Sequence, residues 1–215
     1  RNPLHSVTGS KGKSTTVSAL AHIFRIRHPG TLLGGNITIS PLTFLDKLDG
    51  ESPVVLELSS WQLRDLNPPE MLTSRTAAVT NLYHDHMNVY NSMEAYASDK
   101  QRIFQGQTRD DWSLVNIDNP WGKYFARQTA ARLAVLSTKG RLSHPGAQAY
   151  AYYQKGTGFL EWKGRREKII PSDRLVGGLA GDYALLFAGS MAVLGGMPGN
   201  WVWEAAGSFA GIEHR

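Results

Sequence analysis

Glycine, lysine and hydroxyl residues cluster near the amino terminus in a pattern that could bind phosphate. Residues 8–15 read Thr-Gly-Ser-Lys-Gly-Lys-Ser-Thr and follow a short stretch from Leu4 to Val7 that we interpret as a strand. Glycines let a backbone approach an anion closely, and the free N–H groups that begin a helix would point at that anion. Lys13 would add positive charge, and the hydroxyl of Ser14 could ligate Mg²⁺. The residues predicted to contact a nucleotide in this stretch are Gly9, Ser10, Lys11, Gly12, Lys13, Ser14 and Thr15.

This pattern is shorter than the common P-loop, which has a glycine five positions before its Gly-Lys pair. Val7 stands at that position, and the pattern present is T-G-x-x-G-K-S. The alternative is a glycine turn that caps an ordinary helix. Val17, Leu20 and Phe24 recur at helical spacing behind the stretch, and a strand-like run lies in front of it. This context favours a phosphate-binding loop between a strand and a helix.

A carboxylate follows an apolar run that we interpret as a strand buried on both faces. Residues 54–56 are Val-Val-Leu, and Glu57 comes next. Ligands of α/β proteins bind at the carboxyl ends of parallel strands, so Glu57 would lie near the loop and ligate Mg²⁺. The alternative is a charge that ends a strand in solvent.

Polar residues also follow a second buried strand, predicted over residues 76–80. Asn81 ends it, and Tyr-His-Asp-His occupies residues 83–86. Two histidines one residue apart could hold zinc, but the chain offers no cysteine and no obvious third histidine ligand. We favour a histidine that contacts phosphate or Mg²⁺-bound water and predict this role for His86. For His84, a structural role in packing or at the surface is the alternative.

Lys100 interrupts the apolar face of a helix predicted over residues 92–104. Met93, Tyr96 and Phe104 share that face by their spacing. A lysine in such a place usually extends past its apolar neighbours to solvent. The alternative is a functional lysine, because burial would lower the pKa of its ammonium group and free the amine.

The amino-acid composition limits the kinds of protein and of binding site that this sequence can form. The 215 residues are 41% hydrophobic and 19% charged, which is typical of a globular domain with a buried core. Because cysteine is absent from the sequence, disulfides and thiolate metal sites are excluded. A formal net charge of +5 suits an anionic ligand, but no dense run of Lys and Arg marks a nucleic-acid surface. The uncharged stretch between Asp182 and Glu204 is broken by glycine and proline, which favours a buried helix over a membrane span.

Strands alternate with helices before residue 140. Strands are predicted near residues 4–7, 31–33, 54–56, 76–80, 113–115 and 133–136. Helices are predicted over residues 13–27, 41–48 and 92–104, after residue 120, after residue 179 and around 201–206. The alternation predicts an α/β fold with a doubly wound, mainly parallel sheet that carries the phosphate loop. Residues 146–172 contain short alternating segments separated by turns, which predict a small antiparallel annex.

A series of motifs resembles the central ATPase domain of the Mur ligases, the ATP-dependent amide-forming enzymes of peptidoglycan synthesis. In order they are Thr8-Gly-x-x-Gly-Lys-Ser, Gly34–Gly35–Asn36, Glu57–Leu58–Ser59–Ser60, Asn81 with Asp85–His86, Lys100 and the terminal His214–Arg215. The resemblance covers almost the whole chain. Within the family, the stretches Gly-Gly-Asn, Glu-Leu-Ser-Ser-Trp-Gln-Leu and Gly-Ile-x-His-Arg are most similar to the ligases that add D-glutamate.

The resemblance implies roles for individual residues. Gly12, Lys13 and Ser14 would hold the ATP phosphates and Mg²⁺, and Glu57 would ligate that Mg²⁺. The residues that would line the meeting point of γ-phosphate, a second metal ion and the substrate carboxylate are Asn36, Ser59 and His86. Lys100 would carry a carbamate, which could ligate the second Mg²⁺ beside His86, and Arg215 would reach the nucleotide.

Three residues, Lys13, His86 and Lys100, are therefore predicted to be catalytic, and Asn81 is predicted to contact the nucleotide. Ligands expected for metal are Ser14, Glu57, His86 and Lys100. One motif departs from the family pattern. A His-Asn pair used around the adenine is replaced within residues 178–182, which read Gly-Leu-Ala-Gly-Asp.

The same resemblance implies a reaction and its partners. An acyl phosphate would form on UDP-N-acetylmuramoyl-L-alanine, and the amine of D-glutamate would attack it. Residues 1–215 would be the central ATP-binding domain of a cytoplasmic, monomeric enzyme with no nucleic-acid or membrane partner. The UDP-binding and amino-acid-binding domains lie outside this sequence, so we expect the chain alone not to form an amide bond. The alternatives are a related ligase of folylpolyglutamate or cyanophycin type, and a degenerate nucleotide-binding module without catalysis.

Overall fold

A nine-stranded sheet organises the computed structural model, which describes residues 1–37, 39–85, 90–172 and 179–211. The strand order is β2-β3-β1-β4-β5-β6-β7-β8-β9. In chain order the strands are β1 Leu4–Thr8, β2 Leu32–Gly35, β3 Val54–Glu57, β4 Thr76–Val79, β5 Trp112–Asn116, β6 Arg132–Ser137, β7 Ala147–Gln154, β8 Thr157–Trp162 and β9 Arg165–Ile170. The first seven strands run parallel, and the pairings of β8 with β7 and of β9 with β8 are antiparallel.

This arrangement confirms the predicted α/β fold and its antiparallel annex. The annex continues the main sheet, because β7 pairs in parallel with β6 and antiparallel with β8. The parallel strands β1, β4 and β5 are buried along their length, apart from half-buried Leu4, since helices cover both faces of the sheet. Near-continuous burial explains why their sequences lack an apolar–polar alternation.

In the described part of the chain, six α-helices connect and cover the strands. They are α1 Lys13–Arg25, α2 Ser60–Asp65, α3 Met93–Gln101, α4 Gly122–Ala126, α5 Leu179–Leu194 and α6 Gly199–Ser208. Short 3₁₀ helices span Pro41–Lys47, Pro69–Met71 and Arg102–Phe104. The first replaces the helix predicted over residues 41–48, and its backbone leaves helical geometry at Phe44.

Two hydrophobic cores lie on opposite faces of the sheet. Helices α1, α5 and α6 contribute Leu20, Met191 and Val202 to one core. Helices α2, α3 and α4 contribute Leu63, Tyr96 and Phe125 to the other. The prediction that the uncharged stretch forms a buried helix is confirmed in α5, whose described side chains are largely buried. Among the described helices, none has the length and apolar character to cross a membrane.

The order of the central strands decides which loops meet. Strand β1 lies between β3 and β4, with Val7 opposite Glu57 and Thr8 opposite Val79. The residues that follow these strands therefore converge at one edge of the sheet, which we call the carboxyl edge. It comprises the loops after β1, β2, β3, β4, β5 and β6, and α/β proteins bind their ligands at this kind of edge.

Candidate functional site

The loop after β1 at the carboxyl edge has the backbone geometry of an anion cradle. Gly9 has φ of +148°, and a Cβ atom there would lie 2.0 Å from Oγ1 of Thr80. Gly12 has φ of +81° and begins α1 without a side-chain cap. Only glycine adopts such conformations readily, and the first N–H groups of α1 stay available to an anion. Gly9 and Gly12 therefore allow both the turn of the loop and the close approach of an anion to its backbone.

Two residues after β4 hold this loop in place. The Asn81 side chain accepts a hydrogen bond from the Lys11 N–H at 2.9 Å and donates one to the Lys11 carbonyl at 3.0 Å. The Thr80 hydroxyl donates to the same carbonyl at 2.8 Å. Asn81, which is predicted as a nucleotide contact, thus fixes the loop because its side chain binds the backbone of Lys11. Thr80 was not predicted from the sequence, although its position at the end of a buried strand was a usable signal.

The remaining predicted loop residues differ in what they contact. The Lys13 ammonium group donates to the Ser10 carbonyl at 3.3 Å, so it lies over the loop that would hold phosphate. The Ser10 hydroxyl accepts a hydrogen bond from the Tyr83 N–H at 3.0 Å and ties the loop to the segment after β4. Thr15 lies half-buried in the first turn of α1, and Lys11 is exposed.

An oxygen-rich cluster of side chains lies on the β3 side of the loop. Glu57 is 2% exposed, and its Oε2 accepts a hydrogen bond from the Ser14 hydroxyl at 2.6 Å. Its Oε1 accepts one from the Asn36 amide at 3.2 Å. Ser14 at the start of α1 and Asn36 after β2 thus both donate to the carboxylate at the end of β3. A hydroxyl and a carboxylate beside a phosphate loop fit Mg²⁺, which is held by one or two carboxylates, waters and substrate phosphates.

Other parts of the predicted metal site have a different role or lie outside the described residues. Ser59 caps α2, because its hydroxyl accepts from the Gln62 N–H at 3.2 Å while the Gln62 side chain accepts from the Ser59 N–H at 2.9 Å. In the described part of the chain, Ser59 makes no hydrogen bond to Ser14 or Glu57. The predictions for His86 and Arg215, and with them the zinc alternative, lie outside the described residues.

Lys100 lies under the loop and does not reach solvent. Its side chain extends from α3, the residue is 1% exposed, and Nζ donates to the Gly9 carbonyl at 3.0 Å. The ammonium also lies 4.6 Å from the centroid of the Tyr96 ring. Burial, and secondarily the nearby charge of Lys13, lowers the pKa of Lys100 from 10.5 to about 7. Near neutral pH, a substantial fraction of this amine is therefore unprotonated and nucleophilic.

A cavity borders the opposite side of the loop, and we call it the side cavity. Its volume is about 460 Å³, and its lining includes Lys11, Gly12, Thr16, Asp118, Lys139 and Tyr183. The Tyr183 hydroxyl donates to the Asp118 carboxylate at 2.5 Å. Sequence reasoning missed this pair because residues 116–120 carry no recognised motif and lie between a strand predicted over residues 113–115 and a helix predicted after residue 120. The usable signal was a carboxylate two residues after a buried strand.

Known proteins share the sequence pattern and the fold of this chain. Residues 7–177 match the family model described as the Mur ligase middle domain. The chain belongs to the Mur ligase family. The matched segment contains the phosphate loop, the Ser14–Glu57 pair and Lys100, and Tyr183 of the side cavity follows it in the sequence.

Curated relatives cover the whole chain. A protein named UDP-N-acetylmuramoylalanine–D-glutamate ligase from Borreliella afzelii is 34% identical over 220 residues, covering 100% of this chain and 45% of the relative. A protein of the same name from Symbiobacterium thermophilum is 33% identical over 216 residues, covering 100% of this chain and 46% of the relative. The Mur ligase chain thus spans about half the length of these curated relatives.

Solved structures share the fold. MurF from Acinetobacter baumannii superposes with a TM-score of 0.72 at 15% identity, covering 98% of this chain and 46% of that structure. A structure of UDP-N-acetylmuramoyl-L-alanyl-D-glutamate–2,6-diaminopimelate ligase gives a TM-score of 0.69 at 20% identity, covering 100% of this chain and 47% of the other. These likenesses establish that the Mur ligase fold extends through the antiparallel strands β8 and β9.

Proposed function

We propose that this chain is the nucleotide-binding part of an ATP-dependent ligase that joins D-glutamate to UDP-N-acetylmuramoyl-L-alanine. The observation that carries the proposal is the Ser14–Glu57 oxygen pair beside a glycine-formed phosphate loop, with Lys100 buried beneath the same loop. The names of the curated relatives support the choice of substrates and favour D-glutamate over the acceptors of folylpolyglutamate or cyanophycin synthetases.

The residues at the carboxyl edge suit the electrostatic problem of this reaction. A substrate carboxylate that attacks a phosphate is repelled by like charge, so positive groups must offset that repulsion in a site with little water. Lys13 and the first N–H groups of α1 would bind the phosphates, and Ser14 and Glu57 would hold Mg²⁺. When bound, the nucleotide supplies the phosphoryl group that activates the substrate carboxylate for attack by an amine.

Lys100 is proposed to carry a carbamate in the working enzyme, as the family resemblance implies. Its unprotonated amine would form an N–C bond to CO₂ and release one proton to solvent, which converts a neutral amine into an anion with two oxygens. Hard oxygen ligands of this kind suit a second Mg²⁺. The carbamate nitrogen keeps one N–H, so the hydrogen bond to the Gly9 carbonyl can persist.

The proposal also covers further residues of the site and the setting in which the enzyme acts. Asn36, Ser59 and His86 are proposed to lie near the transferred phosphate and the substrate carboxylate, and Arg215 to contact the nucleotide. Support for Asn36 comes from its hydrogen bond to Glu57. We also propose that the enzyme acts in the cytoplasm as a monomer, without a nucleic-acid or membrane partner.

The proposal is tested by an omission assay on the full-length protein. Phosphate release would be measured with ATP, Mg²⁺, UDP-N-acetylmuramoyl-L-alanine and D-glutamate, and with each component left out in turn. We expect release only when all are present, together with a product whose mass equals the two substrates joined with loss of water. Glutamate addition to a folate, or aspartate addition to a peptide, would instead support the related ligases.

A non-catalytic nucleotide-binding module is the second candidate. It would bind Mg²⁺-ATP in a calorimetric titration yet release no phosphate with any acceptor. Absence of nucleotide binding in that titration would contradict both candidates.

A further inference from the structure

The antiparallel end of the sheet has one face packed on helices and one face that carries charge. Ala149, Ala151 and Leu160 of β7 and β8 lie in the core formed with α5 and α6. The residues that alternate with them point to the opposite face, which we call the arginine face. It comprises Arg141, Tyr150, Tyr152, Phe159, Glu161 and Arg166. The chemistry proposed above uses the carboxyl edge and assigns no role to this face.

Most of the net charge of the chain lies around the arginine face. Residues 141–172 contain six Lys or Arg and two Glu, so this segment carries +4 of the formal net charge of +5. The basic residues are separated in the sequence, and the pairing of β7, β8 and β9 brings them together. Lys168 is exposed and lies directly opposite Phe159, so it shares the face with Arg166. The resulting positive potential attracts anions.

The arginine face already holds one carboxylate and has donors left for another. Glu161 accepts hydrogen bonds from Nε of Arg141 and from the Tyr152 hydroxyl, each at 2.5 Å. Nε of Arg166 lies 3.8 Å from the same carboxylate. In the described part of the chain, the two Nη groups of Arg141 have no hydrogen-bond partner. A guanidinium has five N–H donors, so Arg141 can bind a second carboxylate beside Glu161.

A pocket of about 340 Å³ opens beside these donors. Its lining includes Arg141, Tyr150, Lys163, Arg165 and Arg166. Lys163 has φ of +49°, a left-handed conformation that two-residue hairpin turns usually give to Asn, Asp or Gly. The turn itself therefore gives no reason for a lysine, whereas its ammonium group adds positive charge to the pocket. The volume is at the lower end of the range for ligand pockets, which suits an acidic side chain.

The aromatic rings of the arginine face have cations over them. The Arg166 guanidinium lies 3.8 Å from the centroid of the Phe159 ring. The Arg141 guanidinium lies 4.2 Å from the centroid of the Tyr150 ring. Tyr152 is 4% exposed. Single-stranded nucleic acids bind by stacking bases on open aromatic rings, and these rings are not open. The face offers N–H donors instead, which favours carboxylates over bases.

We propose that the arginine face binds an acidic, extended segment of a partner protein. Carboxylates on alternate residues of an extended chain lie about 7 Å apart on one side of it, as do Arg166 and Lys168 on β9. One carboxylate enters the pocket beside Arg141, and the next pairs with Lys168. None of these residues belongs to the phosphate loop or to the Ser14–Glu57 pair, so the inference does not depend on the proposed function.

The first test compares two labelled peptides by fluorescence anisotropy on the full-length protein. Both contain the same number of glutamates. In one peptide a single serine separates successive glutamates, and in the other two serines do, so that successive carboxylates point to opposite sides of an extended chain. The first peptide should bind several-fold more tightly. Equal affinities, or no binding of the first peptide at physiological salt, would overturn the proposal.

The second test reverses one charge on the face. Lys168→Glu should weaken binding of the first peptide about tenfold, because it replaces an attraction with a repulsion. Lys47→Glu is the matched control: it makes the same change in net charge at an exposed residue beside β2, at the other end of the sheet. Its loss should stay below about twofold, since salt screens charges at that distance. Equal losses in the two variants would show non-specific attraction and overturn the site.

The class of partner is tested with a third probe. A labelled single strand of thymidine nucleotides should bind more weakly than the first peptide, because the rings that could stack its bases are covered. DNA binding that is as tight as peptide binding, and is lost in Lys168→Glu, would show that the partner is a nucleic acid. Thermal midpoints would be measured for both variants. They should match the wild type, since the side chains of Lys47 and Lys168 make no ion pair or ring contact in the described part of the chain.

Discussion

Positive charge is placed in two different ways at the carboxyl edge and on the antiparallel strands at one end of the sheet. At the carboxyl edge, Lys100 is 1% exposed and donates to a backbone carbonyl. On strands β7–β9, arginines lie on aromatic rings and pair with a carboxylate. This second region is the arginine face of Arg141, Tyr150, Tyr152, Phe159, Glu161 and Arg166.

The arginine face keeps its charges permanent and partly solvated. Arg141 and Arg166 both pair with Glu161, and their side chains are 43% and 42% exposed. The Arg166 guanidinium lies 3.8 Å from the centroid of the Phe159 ring. A hydrogen bond to Glu161 raises the pKa of Arg141, so its charge is the same at every physiological pH. These contacts join neighbouring strands, and neither arginine loses its proton at physiological pH.

The comparison shows that burial decides whether a cation can also act chemically. Burial lowers the pKa of Lys100 to about 7, because removal from water penalises its charged form. An exposed arginine in an ion pair cannot lose its proton. The carboxyl edge therefore accommodates a reactive amine at a cost in stability, whereas the arginine face contributes a modest gain in stability.

The largest effect is expected for Lys13→Ala. Removal of one positive group aimed at transferring phosphate costs several kcal/mol of transition-state stabilisation, or on the order of a 100- to 1,000-fold loss of turnover. Thermal stability should hardly change, since Lys13 makes one long hydrogen bond, to the Ser10 carbonyl. Turnover and the thermal midpoint of the full-length enzyme would be measured beside Lys163→Ala from the exposed hairpin between β8 and β9. More than about a tenth of wild-type turnover in Lys13→Ala would contradict the loop assignment.

Lys100→Ala should also inactivate the enzyme, and its loss should be partly reversible. Added bicarbonate or a short-chain carboxylate would supply the oxygens that the proposed carbamate provides, so activity should rise with carboxylate concentration. Arg166→Ala on the arginine face should retain activity and be indifferent to carboxylate. Near-normal turnover in Lys100→Ala would show that this buried amine has only a structural role.

Lys100 should make stability depend on pH in a known direction. The unfolded chain keeps this ammonium up to about pH 10.5, whereas the folded protein releases the proton near pH 7. Between these values the unfolded state binds more protons, so the free energy of unfolding rises with pH. Relative to Lys100→Met, the wild type should gain up to about 1.4 kcal/mol per pH unit across that window.

Denaturant titrations in CO₂-free buffer at pH 7 and pH 9 would measure this gain. Lys163→Met, an exposed lysine variant, should show no such difference between the two pH values. A constant gap between wild type and Lys100→Met at both pH values would mean that the pKa of Lys100 is not lowered by folding.

The smallest effect is expected for Arg166→Ala. An exposed cation–π contact contributes about 0.5–1 kcal/mol, and the ion pair with Glu161 adds little. Arg165→Ala is the control on the same strand, because Arg165 is exposed and makes no ring contact among the described residues. Equal thermal midpoints for the two variants would show that the arginine face does not stabilise the sheet.

The local spacing of apolar residues was enough to predict most helices and strands, but not the short ones. Helix α1 was predicted over residues 13–27 and spans Lys13–Arg25, since its apolar spacing continues for several turns. Helix α2 was missed because six residues are too few for periodicity to register. Its capping box, Ser59 with Gln62, was present in the sequence as the available signal.

The sequence by itself was enough to predict a phosphate loop and its place between a strand and a helix. Glycines at 9 and 12, Lys13 and Ser14 are contiguous, and a contiguous loop is shaped by its own backbone preferences. The same holds for the burial of the parallel strands, since an unalternating apolar run is stable only when both of its faces are covered.

Only the tertiary structure decided which distant groups meet at that loop. Asn36 contacts Glu57 from 21 residues away, and Asp118 contacts Tyr183 across 65 residues. Lys100 reaches the Gly9 carbonyl across 91 residues, which settled the choice between an extended surface lysine and a buried amine. These contacts follow from the placement of β1 between β3 and β4, and strand order depends on packing across the whole sheet, which no local stretch of sequence encodes.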